Sequence, residues 1–265
     1  MDSSDIDANL TKPWRDVPIT ASAEAYADEN YRTLTLQLYL THAASVLALL
    51  TKFFRENEGE QYPLALRKLL SQNTDRPVRK EEIDAVFQSR LINEMLVCRV
   101  VDNFLAYIVG LLTEIFKQRP EALRSKETVT WEFVLGFDDT TALRHALAEL
   151  KVDRLAYSGV EELAKKLEGD MNLELFTPEE LPKAARAVEV RNLIVHNRGR
   201  VNVRSAKKAP ELAPLVGQYL ELSDSDVISM LQFLHGVVRR TDSIAIRKFG
   251  IPSRLGYVQP HIPED

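Results

Sequence analysis

Apolar residues recur at helical spacing along most of the chain, and polar stretches carrying proline or glycine separate the runs. The first run includes Tyr31, Leu34, Leu38, Val46, Leu50 and Phe54, and it predicts a helix over 20–57 capped by Thr20 or Ser22. Glu58-Gly59-Glu60 breaks it, and a short helix near 64–70 and a polar linker over 71–79 follow. The next run, 81–118, is apolar on nearly every side, which marks the middle of a bundle. Arg99, Asp102 and Asn103 are polar exceptions within it, and Pro120 ends it. Three further helices are expected over 128–137, 140–157 and 160–171. Asp138-Asp139-Thr140 supplies short polar side chains for the cap of the second, and Ser158-Gly159 separates the last two. A helix beginning at Thr177-Pro178-Glu179-Glu180, or just after Leu181, runs to His196, and a basic loop then extends to about 218. Ser223 with Asp226 three residues on resembles a capping box and opens a last helix, which Gly250-Ile251-Pro252 closes.

The helix ending at His196 departs from the ordinary amphipathic pattern. With about 100° per residue, Ala184, Ala187, Val188, Val190, Ile194 and Val195 fall on both sides of Arg191. A cation in an apolar arc needs a partner: a carboxylate, another subunit or a phosphate. Asn192 and His196, one turn apart, share the neighbouring edge. Helix capping accounts for His196 and Gly199, since a histidine in the last turn suits the dipole and glycine stops helices. It leaves Arg191 unexplained.

Arg191-Asn192-x-x-x-His196 resembles the R-(polar)-x-x-x-H signature of the HEPN superfamily of helical ribonucleases. Asn197-Arg198-Gly199, followed by Val201-Asn202, is similar to a run in stand-alone prokaryotic members. The resemblance covers much of 80–250, and its specific part is about a dozen residues. It implies an all-α, HEPN-like helical bundle with additional N-terminal and peripheral helices. It also implies Arg191, Asn192 and His196 as catalytic residues, with two such motifs meeting at a homodimer interface. Members often place an acidic or polar residue opposite the motif, which makes Asp102 the partner of Arg191 or His196. A local Arg99–Asp102 pair at helical spacing is the competing reading. The setting implied is antiviral defence or a toxin–antitoxin pair, with an antitoxin or defence-system protein as partner.

Composition sharpens this picture in few places. In 265 residues, 45% are hydrophobic and 28% charged, glycine is sparse and helix formers dominate, which favours one all-α domain over 20–254. A polar leader, 1–19, and a proline-containing tail, 255–265, flank it. The apolar segment 95–116 is interrupted by Arg99, Asp102, Asn103 and Glu114, so it reads as a buried helix without a membrane role. The lone cysteine, Cys98, reads as a small core residue and excludes a disulfide framework, and the expected location is cytoplasmic. A net charge of −5 excludes a global positive field for nucleic acid. Between 190 and 210, however, Arg191, Arg198, Arg200, Arg204, Lys207 and Lys208 occur with no acidic residue, as a phosphate backbone requires. Arg198, Arg200 and Arg204 are therefore the substrate-binding candidates. His235, Arg239 and Arg240 read as a solvated basic stripe, and His145 as a structural histidine among leucines. No glycine-rich phosphate loop, nucleophile elbow or metal-ligand spacing occurs, so neither metal nor cofactor is expected.

The chemistry these residues suit is RNA cleavage without a metal. A base removes the 2′-hydroxyl proton, that oxygen attacks the adjacent phosphorus, and a fixed cation stabilises the charge gained by the phosphoryl oxygens. Histidine titrates near neutrality and arginine binds phosphate through a planar fork. The expectation is an endoribonuclease leaving a 2′,3′-cyclic phosphate and a 5′-hydroxyl. Two other classes stand beside it: an RNA- or nucleotide-binding or regulatory member of the family that does not cut, and a helical adaptor in which the motif is coincidental.

Overall fold

The computed structural model describes residues 17–56, 90–123, 128–157 and 159–255. The short helix and linker expected over 64–79, residues 81–89 of the central helix, and most of the leader and tail lie outside the described residues. The described chain is mostly helical, as its patterning requires.

Helix α1, Ala21–Glu56, starts at Thr20, whose hydroxyl accepts a hydrogen bond from the Ala23 amide at 3.1 Å. Ser22, the other capping candidate, instead turns its amide and hydroxyl to the Glu114 carboxylate. Helix α2, Arg90–Gln118, is the hub: it packs against α1 and against the helices over 140–157, 181–197 and 224–249, and it buries Val97, Val101, Phe104, Leu111, Leu112 and Ile115. It is long and apolar enough to cross a membrane, but 56% of its most apolar window is buried inside the protein, as in a core helix. Buried amides fix its position: Asn93 donates to the Leu222 carbonyl at 2.8 Å, and Asn103 to Asn30 at 3.0 Å.

The short α3, Trp131–Leu135, is capped by Thr130 and occupies half of the expected 128–137. Helices α4, Thr140–Tyr157, and α5, Val160–Met171, have the bounds their flanking residues predict. Asp139 accepts from the Thr141 and Ala142 amides at 2.7 and 2.8 Å, and Asn172 leaves α5 in a left-handed conformation with φ 50°. His145 is exposed on α4.

Helix α6 spans Leu181–Asn197, and α8 spans Asp224–Phe249. Both bonds of the capping box form at Ser223 and Asp226, at 2.8 and 3.2 Å. Between them the expected basic loop contains α7, Val203–Lys208, and a 3₁₀ segment, Pro210–Leu215. Asn202 caps α7 by accepting from the Ser205 amide at 2.9 Å. The expected solvated stripe on α8 is also corrected. His235 is buried, and Arg240 grips both oxygens of Glu180 at 2.6 Å while donating to the Leu175 carbonyl. Only Arg239 fits the solvated description.

Two apolar cores meet at α6. The larger takes Ala184 and Ala187 from it, with α1, α2, α4, α5 and α8. The smaller lies under the motif end and joins Val190 and Leu193 to Leu96, Val97, Val201, Leu212, Leu220 and Val227. At the far side, β1, Pro18–Ile19, pairs antiparallel with β2, Arg254–Leu255, so the supposed leader is docked at its end and Ile19 is buried. The Thr20 amide and hydroxyl bond both oxygens of buried Asp242 at 3.0 and 2.6 Å.

Candidate functional site

Four buried residues of α6, Ala184, Ala187, Val190 and Leu193, form a stripe displaced to one side of Arg191. Arg191 therefore stands on the flank of the buried face and not at its centre, and Val195, expected on the apolar arc, is 49% exposed. The helix is set by what α2 presents to it. Arg191 meets Asp102, and Gly199 meets Glu94, so the two helices run antiparallel.

Of the partners that Arg191 could require, the structure supplies a carboxylate. Nε donates to Asp102 Oδ1 at 2.8 Å, with the side chains 26% and 42% exposed. The competing Arg99–Asp102 pair does not form, because Arg99 pairs with Glu29 on α1. Arg191 Nη1 also donates to Asn192 Oδ1 at 3.3 Å. Asn192 thereby joins two environments: the Arg191–Asp102 pair on one side and a cavity of about 460 Å³ on the other.

That cavity lies between the end of α6 and α7. Asn192, His196 and Asn197 line it from α6, and Arg204 and Lys208 line it from α7. The structure thus brings Asn192, His196 and Arg204 together, while Arg191 and Asp102 stand outside the cavity. Arg198 is exposed and takes the left-handed conformation, φ 54°, that ends α6. Arg200 is also exposed, but its Nε is engaged by the Gly217 carbonyl at 2.9 Å, where it bridges the chain to Tyr219. The three substrate-binding candidates therefore occupy different places, and Arg204 alone lines the cavity.

Gly199 explains the geometry of this corner. Its φ is 74°, and a side chain there would run into the Glu94 carboxylate. Its amide donates to the Leu193 carbonyl at 3.1 Å, satisfying one of the last free carbonyls of α6. Cys98, expected as a small core residue, is partly exposed on the α2 stripe between Glu94 and Asp102. Burial pushes its thiol up, Asp102 adds to this, Arg191 opposes it and Glu94 raises it further.

One residue of the cavity escaped sequence reasoning. Glu189 is buried, lines the same cavity, and places Oε2 3.2 Å from Lys208 Nζ. It lies two turns before His196 on the same side of α6, a spacing visible in the sequence, but it sits just outside the acid-free stretch 190–210. Among the described residues no group of three His, Cys, Asp or Glu side chains converges as metal ligands do.

Comparison with protein-family models, curated proteins and solved structures finds no match to this chain.

Proposed function

We propose that the protein is a HEPN-like endoribonuclease that cuts RNA by attack of a 2′-hydroxyl on the adjacent phosphorus. The observation that carries the reading is the exposed His196, which lines one cavity together with Asn192, Arg204 and Lys208. His196 exchanges the proton, Arg204 faces the phosphoryl oxygens, and Asn192 orients the imidazole or the ribose. As the 2′-oxygen bonds to phosphorus, the bond to the 5′-oxygen breaks and that oxygen takes a proton. The products are a 2′,3′-cyclic phosphate and a 5′-hydroxyl.

The reading also places the site at an interface between two copies of the chain. Exposed Val195 lies one turn beyond Arg191, and exposed Leu91 and Met95 lie on the facing stretch of α2. These exposed apolar residues of α2 and α6 suit burial against a second copy, which contributes a second motif.

A non-cutting, RNA- or nucleotide-binding role is favoured by a different observation: Arg191 is engaged by Asp102 and Asn192 and does not reach the cavity with His196. The two readings separate in one experiment. Fluorescent RNA is incubated in excess EDTA with wild type and with His196→Ala. Cutting by wild type alone, with a 2′,3′-cyclic phosphate end, supports the ribonuclease. Binding by both proteins with cutting by neither moves the protein to the binding class.

A further inference from the structure

A cavity serving only to hold phosphate has no use for a carboxylate, which repels the phosphate and competes for its cations. Yet Glu189 projects into this one, with its side chain only 10% exposed. Its partner Lys208 is 53% exposed and so contributes little to stability. The burial of Glu189 is thus poorly explained as a structural ion pair. Lys208 contacts Oε2, and carboxylate oxygens accept more than one donor, so this cavity-lining group has accepting capacity beyond its lysine.

We infer that Glu189 reads a guanine base in the RNA, beside the phosphate held near His196 and Arg204. This rests on the RNA-binding part of the proposed function. An ionised carboxylate only accepts hydrogen bonds, and it presents two acceptors side by side. Guanine alone among the four bases carries two adjacent donors, N1–H and N2–H, on its Watson–Crick edge. Adenine and cytosine each place an acceptor beside their one amino group, and uracil flanks one N–H with two acceptors. Single-stranded RNA exposes this edge, and proteins recognise unpaired bases through it. Glu189 and His196 are seven residues apart on one side of α6, a rise of about 10 Å. That separation lets a nucleotide lie along the helix, with its phosphate at the His196 end and its base toward Glu189. Lys208 stands beside the carboxylate, and Asn192 lies between the two ends, on the ribose side.

The test uses 2′-O-methyl oligouridines, which cannot be cut, bearing one central guanosine, inosine, adenosine, cytidine or uridine. Their affinities are measured by fluorescence anisotropy with wild type, Glu189→Gln and Lys208→Ala. Wild type should bind the guanosine oligomer about 10-fold more tightly than the adenosine, cytidine and uridine ones, the discrimination of one good bidentate pair. Inosine, which lacks the N2 amino group, should lose much of that gain. Glu189→Gln should bring guanosine to the level of the others, whereas Lys208→Ala should weaken every oligomer and keep an order led by guanosine. Equal affinity for guanosine and adenosine in wild type, or a guanosine preference that survives in Glu189→Gln, overturns the inference. The inosine comparison is made on wild type and does not depend on a variant's folding. Cutting of the matching 2′-hydroxyl oligomers is scored separately. A guanosine preference without cutting removes the ribonuclease reading and leaves this inference standing, and cutting without base preference does the reverse.

Discussion

Replacing Asp102 with asparagine and Arg191 with glutamine, singly and together, measures the contact that decides where Arg191 points. Nε and Oδ1 are 2.8 Å apart, and the side chains are 26% and 42% exposed. Two unit charges about 4 Å apart attract by about 1 kcal/mol in water and about 4 kcal/mol at an effective dielectric of 20. The exposure of both partners pulls the value toward the lower figure, and ordering the long arginine side chain subtracts more. The direct charged hydrogen bond works the other way. The expected coupling energy is about 1 kcal/mol, and losing it lowers the Tm by about 2–4 °C in a chain of this size. Urea denaturation of the four proteins gives the coupling by double-mutant cycle at about 0.1 M and 1 M salt, where the Debye length falls from about 10 to 3 Å. Coupling should fall by half or more at high salt. A value indistinguishable from zero at 0.1 M would refute the claim that Asp102 holds Arg191. The same variants test function, because Asp102→Asn frees the guanidinium for phosphate. RNA affinity should therefore rank Asp102→Asn above wild type and wild type above Arg191→Gln.

Two further outcomes follow from geometry away from the cavity lining. Gly199→Ala forces a side chain at φ 74° against Glu94 and should destabilise by about 1–2 kcal/mol from backbone strain alone, more with the clash; unchanged urea stability would contradict the left-handed exit from α6. His235 is buried, and burial with the nearby Arg239 charge lowers its pKa from 6.5 to about 4. Between those values the unfolded chain takes up a proton that the folded chain refuses, so stability falls as pH drops from about 6.5 toward 4, by at most about 3 kcal/mol. Buried Asp242 has a raised pKa, chiefly from desolvation, so its contribution declines as pH rises above 3.8 and opposes the histidine at the acid end. Stability curves for His235→Phe should therefore be flatter than wild type from pH 6.5 to 4, and equal slopes would refute the buried neutral histidine.

Much of the helical layout was legible because local chemistry set it. Ser223 and Asp226 carry both halves of a cap within four residues, and Asp139 caps α4 in the same local way. Helix α7 was missed because six residues hold less than two turns of pattern, and Pro210 and Pro214 nearby look like loop. At the site, a helical wheel locates Arg191 among apolar neighbours but cannot tell which part of that arc α2 covers. Contact with Asp102, 89 positions away, decides this, and it leaves Val195 in the open. Family resemblance pointed to Asp102, whereas periodicity favoured Arg99 just as well; Glu29, on another helix, takes Arg99 away. Glu189 went unread because its partner Lys208 lies on α7, the element the pattern did not reveal.

The bonds from Thr20 to Asp242 join residues 222 positions apart, and they set an order of events during synthesis. At about 5–20 residues per second, Asp242 leaves the ribosome roughly 10–45 s after Thr20. Through about the last half of that interval α2 is complete while α8, which covers part of its apolar surface, is not. The nascent chain is thus sticky for many seconds and gains its closing contacts only when α8 arrives. Chaperone dependence should therefore fall on the translating chain far more than on the finished protein.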